Sequence, residues 1–595
     1  MWHFPLPCLC HLCCHVKSLV VGDSVESGEC LGGSTYIEET ITYLSSRSKP
    51  VRVSHSLCEE EKEAVEQRKV KIHKCLQELG IPCDSADVPQ IAVLGSGGGL
   101  RAMLALMGTL SELGAQNLLD SILYLCGVSG STWCMSSLYK EKDWSSRVEE
   151  REKEMVETLT TGYVTLMSKW DRVLKAVKDE NYSLTDIWTG RIVYDIVKKE
   201  DKQHLSSYTD ETMVNPYPIF AVVDKWRLDH KEEHDKGVWF EITRHEAGYP
   251  GYGAFVDTSV FGSRFKAGEI TERKEEMDML YLQGLCGSTI GDMKMNMKEI
   301  QNWISNSFNA EKKEESVNRN RITCKGDHCG CDQCTEVQLN KLKEAFLSGK
   351  DCKPILITFE ETQEGENKAL LSNMKDSWDQ KNEEEQADLF LILEMTIRVT
   401  INSPKLLKIL SNWIWGTKFN FLHEFSSRED DLPSVLVQDE KIYLVDAGLA
   451  NNCGYPLVLR PDRQVQLILS FDFSAGDPFL TVHQAAEYCK KNNIPFPDIP
   501  VVSEEEKDNP SDCYIYSGEN TPTVMHFPLF NKANCGDKDN IKEMNNTFST
   551  AATSYNQREI QLLLKVSKMN VVNNRDQIIA KIKKSVETKQ KKKYK

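Results

Sequence analysis

No stretch of the 595-residue chain reaches the roughly 18 consecutive apolar residues that a membrane-spanning helix needs. The nearest approach, DLFLILEMTIRVTI from Asp388 to Ile401, is broken by Glu394 and Arg398 and reads as a buried or amphipathic helix. A basic excess is missing too. Lys plus Arg number 72 against 89 Asp plus Glu, a net charge of −17, which argues against a dedicated nucleic-acid binder. The first residues, MWHFPLPCLCHLCCHVKSLVVG, carry no Lys or Arg before Lys17 and are interrupted by two prolines. They lack the basic start and unbroken apolar stretch of a signal peptide, so secretion is not expected. The last residues, Tyr594-Lys595, form no prenylation box.

What is present is an ordinary balance for a large folded core, 40% hydrophobic and 27% charged. Twenty cysteines in a chain of this length do not read as a disulfide framework, which belongs to small extracellular domains. Cys126, Cys134 and Cys286 lie inside apolar runs and read as small buried hydrophobes in a reducing compartment. Cys8, Cys10, Cys13 and Cys14 with His11 and His15 could bind metal or carry acyl chains, but the plainer reading is an amino terminus without a site. Cys324, Cys329, Cys331 and Cys334 beside His328 follow no common zinc-finger spacing and read as a surface insertion. No metal or other cofactor is expected. The lysine cluster KIKKSVETKQKKKYK either meets an anionic leaflet, at about 1 kcal/mol per lysine, or is a solvated tail.

Along the chain, residues 1–85 read as an amino-terminal extension, partly disordered, with one amphipathic helix near 59–80. Two segments then change from strand-like to helical pattern. PQIAVLGSGGGLRAMLALMGTLSELG places a strand at Ile91–Leu94, a glycine loop and a helix. SILYLCGVSGSTWCMSSLYK repeats the order with a strand at Ile122–Leu125 and a turn at Gly127–Ser131. Together with KIYLVDAG (441–448) and VQLILSFDFS (465–474), they predict an α/β fold: a mostly parallel central sheet, helices on both faces and a cap or lid insertion. The core domain is expected over 86–570, with insertions over about 140–430, and 571–595 as a basic tail.

The chemistry starts at Gly127-Val128-Ser129-Gly130-Ser131, where glycines let a sharp strand-to-helix turn lift a hydroxyl out of the backbone. The usual elbow is G-x-S-x-G; here the second glycine comes one position early. Gly95-Ser96-Gly97-Gly98-Gly99-Leu100-Arg101 fits neither nucleotide motif. Leu100 stands where a dinucleotide fingerprint needs its last glycine, and no Gly-Lys-Ser/Thr follows. What remains is a run of backbone N–H groups at a helix head, suited to an oxyanion or a phosphate, with Arg101 adding positive charge. A serine hydroxyl needs a base, and Asp446, at the end of a buried strand, is the candidate.

These motifs, with Y-P-L-V-L-R-P (455–461), N-W-I-W-G-T-K-F-N-F-L (412–422) and F-G-S-R-F (261–265), resemble the group IV cytosolic phospholipases A2, patatin-related serine acyl hydrolases. The resemblance runs from about Val88 to Leu564. It implies a Ser–Asp dyad, with Ser129 as nucleophile and Asp446 as base, Gly98 and Gly99 as the oxyanion hole, and Arg101 and Arg463 as arginines serving the substrate phosphate. Asp446-Ala447-Gly448 replaces the family's Asp-Ser-Gly or Asp-Gly-Gly. The stretch before Val88 is too short for the family's calcium-binding C2 domain. The chain is therefore most similar to the member that lacks it and acts without calcium, although it does not share that member's prenylation box.

The expected activity is hydrolysis of phospholipid and lysophospholipid acyl esters at a membrane surface, with transacylation as a companion. The expected location is the cytoplasm, with peripheral attachment to intracellular membranes. Two alternatives stand beside it. One is a Ser–Asp–His triad using His483 or His526. The other is a catalytically silent lipid-binding protein using the lysine tail and Trp413, Trp415, Phe419 and Phe421.

Overall fold

Runs of Ile, Val, Leu and Phe that end at glycine or aspartate form the strands of one large sheet in the computed structural model. It describes residues 50–162, 179–199, 201–208, 214–230, 236–288, 332–363, 365–380, 414–426 and 432–593, with single positions at Ala176, Gln386, Phe390, Leu393 and Ile397. The cysteine-rich amino terminus and Cys324, His328, Cys329 and Cys331 lie outside the described residues. Cys334 falls in the helix Asp332–Leu347.

The strands are β1 (Val51–Val53), β2 (Ile91–Gly95), β3 (Tyr124–Gly127), β4 (Tyr217–Asp224), β5 (Trp239–Ile242), β6 (Glu246–Tyr249) and β7 (Ala254–Asp257). A separate hairpin, β8 (Arg264–Lys266) and β9 (Glu269–Glu272), is followed by β10 (Thr417–Phe419), β11 (Lys441–Asp446), β12 (Leu467–Asp472), β13 (Tyr514–Tyr516) and β14 (Thr523–Pro528). The main sheet runs β1-β7-β6-β5-β4-β3-β2-β12-β14-β13, with β11 on β4 and β10 on β11. Its centre, β4-β3-β2-β12-β14, is parallel throughout. Every residue of β2, β3 and β12 is buried, the continuous apolar pattern of strands covered on both faces.

Gly95 lies opposite both Gly127 and Phe471, so the carboxyl ends of β2, β3 and β12 align at one edge, the head of the sheet. Ligand sites of open α/β sheets lie outside that edge.

Three boundaries differ from the sequence reading. Strands β4–β7 fall inside the tract read as insertions, yet they extend the sheet with antiparallel pairings. The Glu/Lys-rich average of that tract hides YPIFAVVD, eight residues that are all buried. Residues 51–85 also belong to the compact unit Val51–Lys595: β1 pairs with β7, and helix α1 (Glu59–Glu78) buries Ala64, Val65, Ile72 and Leu76. The lysine tail does not stand apart either. It closes a 37-residue helix, Gln557–Lys593, that packs on the helix Gly99–Ala115. Near its end Lys589 Nζ donates to the Val88 carbonyl at 2.8 Å, just before β2 begins.

Phe390, Leu393 and Ile397 are buried with Leu339, Leu342, Leu356 and Phe359 in a second, smaller apolar cluster. Among the described residues no helix is long and apolar enough to cross a membrane.

Candidate functional site

Strand β3 ends at Gly127, and helix α2 (Gly130–Tyr139) starts three residues later, leaving Ser129 on the turn. Its φ of 51° and ψ of −124° are rare for a residue with a side chain. Thr132 fixes the turn, its N–H and Oγ1 donating to the Ser129 carbonyl at 2.8 and 2.5 Å.

The glycine loop interlocks with this turn. Ser131 Oγ donates to the Ser96 carbonyl at 2.6 Å, and Val128 N–H to the Gly95 carbonyl at 3.1 Å. A Cβ on Gly130 would run into the Gly99 carbonyl, its carbon only 2.7 Å away. The early glycine of the elbow is therefore demanded by the close approach of the loop. A Cβ on Gly97 would likewise lie 2.8 Å from that of Ser129. Gly98 (φ 152°) and Gly99 (φ 59°) take conformations that favour glycine and turn the loop into its helix. Among the described residues, neither of their N–H groups donates to another group of the chain.

Asp446 arrives from the other direction along the same edge of β4. β3 leaves that edge with Gly127 opposite Phe220, and antiparallel β11 comes down it until Asp446 stands opposite Val222. β5 occupies the other edge at Phe220–Val223, so β3 and β11 share one edge, end towards end. Their last pairings lie two positions apart on β4, with Ala221 between, about 7 Å at the rise of a strand. Asp446 is 1% exposed; its Oδ1 accepts the Gly448 N–H at 2.8 Å and its own N–H donates to Ser288 Oγ at 3.0 Å.

Asn452, which no motif singles out, ties this segment to the glycine loop. Its carbonyl accepts the Gly97 N–H at 2.9 Å, and its Nδ2 donates to the Gly97 carbonyl at 3.0 Å and to Ser474 Oγ at 2.7 Å. Ser129, Asp446, Gly98 and Gly99 are thus brought to one place.

The two arginines are not at its mouth. Arg101 is buried, its Nε donating to the Phe473 carbonyl at 2.8 Å, Nη1 to the Phe548 carbonyl at 2.6 Å and Nη2 to Thr550 Oγ1 at 3.1 Å. Burial draws its pKa down. A guanidinium spent on carbonyls beneath the loop does not offer itself to a substrate phosphate.

Arg463 is further removed. It lies 5.5 Å from the ring of Tyr124, the first residue of β3, about 15 Å of strand from Ser129. All five of its N–H donors are engaged: Nε and Nη2 with Glu61, Nη1 and Nη2 with Glu241, and Nη1 also with the Leu457 carbonyl. Desolvation opposes its charge, but Glu241 and Glu61 outweigh that and hold its pKa up. Arg463 is a buried tie between α1, β5 and the loop after β11, with no donor left over for the substrate phosphate expected of it.

The histidines are elsewhere as well. His526 is fully buried on β14, three strands or about 14 Å from β3, with its Nε2 2.7 Å from the Pro478 carbonyl. His483 lies on the helix Leu480–Lys491, after β12. Trp415, Phe419 and Phe421 are buried, so they are core and not an exposed anchor; Trp413 lies outside the described residues.

Comparison with known proteins gives the family of the chain. Residues 91–322 match the model of the lysophospholipase catalytic domain, which takes in the glycine loop and Ser129. Over 567 residues the chain is 37% identical to mouse cytosolic phospholipase A2 gamma, covering 89% of this chain and 91% of that protein. It belongs to the cytosolic phospholipase A2 family.

The human gamma protein is 35% identical over 555 residues, with 90% of this chain and 96% of that protein covered. The fold of this family member matches the solved structure of human GIVD cytosolic phospholipase A2 at a TM-score of 0.60 and 21% identity, over 91% of this chain and 69% of the other. A phospholipase hydrolase is therefore the class to which this chain's site belongs.

Proposed function

We propose that the chain is a calcium-independent phospholipase A2 that cleaves glycerophospholipid acyl esters through an acyl-Ser129 intermediate. Lysophospholipase and transacylase activities accompany it. The observation that carries the reading is the interlock of the Ser129 turn with the Gly98–Gly99 loop, whose N–H groups are unspent, beside the carboxylate of Asp446.

Asp446 takes the proton from Ser129 Oγ as the oxygen bonds to the ester carbonyl carbon. The carbonyl oxygen becomes an anion held by the Gly98 and Gly99 N–H groups, a type of donor whose loss costs about 10²–10³ in rate. The tetrahedral centre collapses, the lysophospholipid oxygen leaves with the proton from Asp446, and the acyl group stays on Ser129. Water then releases the fatty acid, or a lysophospholipid hydroxyl takes the acyl group instead. Each charge that develops has a protein partner, so the scheme asks for no cation. With the substrate in a bilayer, the reaction takes place at the cytoplasmic surface of intracellular membranes.

The test is fatty-acid release from phosphatidylcholine vesicles, with calcium and with chelator, beside Ser129→Ala. Release that survives chelation and vanishes in Ser129→Ala, with an unchanged melting temperature, is the expected result. Turnover retained by Ser129→Ala overturns the nucleophile assignment, and loss of release on chelation overturns calcium independence.

A further inference from the structure

Ser129 and Asp446 belong to segments more than three hundred residues apart, and a third element touches both. Helix α3 (Met279–Cys286) ends in a turn that continues to Ser288. On one side this turn is fastened to α2, the helix that starts after Ser129: Trp133 Nε1 donates to the Gln283 carbonyl at 2.8 Å. Gly287 sits so close that a Cβ there would lie 2.5 Å from the same indole nitrogen. On the other side Ser288 Oγ accepts the Asp446 N–H at 3.0 Å, while its hydroxyl donates to the Leu285 carbonyl at 3.3 Å.

Between the two attachments lies Cys286. Its thiol is pushed far up by burial first and by the charge of Asp446 next, and it is within hydrogen-bonding reach of Thr132. Thr132 in turn holds the Ser129 carbonyl. Ser288 is 4% exposed, so the Asp446 N–H it serves has no water to fall back on.

We infer that the Gln283–Ser288 turn sets the spacing between Ser129 and Asp446, with Ser288 as the positioning residue for the base. The pairing of β11 on β4 fixes where Asp446 arrives along the edge. Ser288 fixes how far its main chain stands from α2. Misplacement by about 1 Å at a reacting pair can cost roughly a hundredfold. This inference rests on the reading of Asp446 as the base.

The experiment measures kcat and KM on phosphatidylcholine vesicles and the rate at which an alkyl fluorophosphonate labels Ser129, in Ser288→Ala, Ser288→Thr, Asp446→Asn and Ser288→Ala/Asp446→Asn. Ser288→Ala is expected to lower kcat and the labelling rate about tenfold to a hundredfold with KM held, while the orphaned Asp446 N–H lowers the melting temperature by only a few degrees. Ser288→Thr, which keeps the acceptor oxygen, restores both. In the Asp446→Asn background Ser288→Ala adds no further loss, because its effect passes through Asp446.

A wild-type rate in Ser288→Ala, or a full additional loss in the double variant, overturns the inference while leaving the dyad standing. Wild-type labelling in Asp446→Asn overturns the dyad, and the inference falls with it. Should Ser288→Ala fail to fold, Ser288→Cys keeps the volume with a weaker acceptor and gives the same comparison.

Discussion

A guanidinium has five N–H donors, and at Arg463 the chain uses every one. Removing one member of a buried ion cluster strands the others, at a cost of about 3–5 kcal/mol. Arg463→Met is therefore expected to lower the unfolding free energy by that much, seen as a lower urea midpoint, because Glu61 stays buried without it and Glu241 keeps only Arg460. Whatever protein stays folded should keep its KM for phospholipid. A raised KM with an unchanged midpoint would return Arg463 to the substrate. Arg101 teaches the same lesson in milder form. An arginine one turn into a helix reads alike in sequence whether it points out to a ligand or in towards carbonyls, and the residues it meets, Phe473, Phe548 and Thr550, are hundreds of positions away.

At the scale of elements, α1 is bound into the sheet through Glu61. Burial raises the pKa of that carboxyl, but the charge and hydrogen bonds of Arg463 outweigh it and hold the group below its ordinary value of 4.5. A lowered folded-state value means that the contribution to stability is complete above pH 4.5 and is lost as pH falls through the lower folded value. The melting temperature is expected to drop below pH 4.5, and to drop less steeply in Glu61→Gln, which has no proton to gain there. Parallel melting curves for the two proteins would remove Glu61 from the acid limb. Neither this tie nor the one at Ser288 could be seen in the sequence, since the partners are 402 and 158 residues apart. What could be seen was local. β2, β3, β11 and β12 are short apolar runs that stop at a turn, and the residue types in those turns marked Ser129, Gly98, Gly99 and Asp446. Strands β4–β7 were missed because they lie among charged helices, where composition averages them away.

At the largest scale, the unit Val51–Lys595 has two poles. Ser129, Asp446 and the glycine loop stand at the head of the sheet, while Lys589, bonded to the Val88 carbonyl, holds the lysine-rich helix end at its foot. A membrane gripped by those lysines would face the wrong end of the enzyme. Replacing Lys581, Lys583 and Lys584 with Gln is accordingly expected to change the rate on phosphatidylcholine vesicles by no more than about twofold, the range of a surface substitution. A tenfold loss in the same vesicle assay would show that the basic end takes part in reaching substrate. The same polarity makes the helix surface around Lys589 a convenient tether. A fluorescent or affinity partner attached there would stand at the foot of the sheet, about a strand's length, some 17 Å, from its head. It could report each encounter with a vesicle without standing in the doorway.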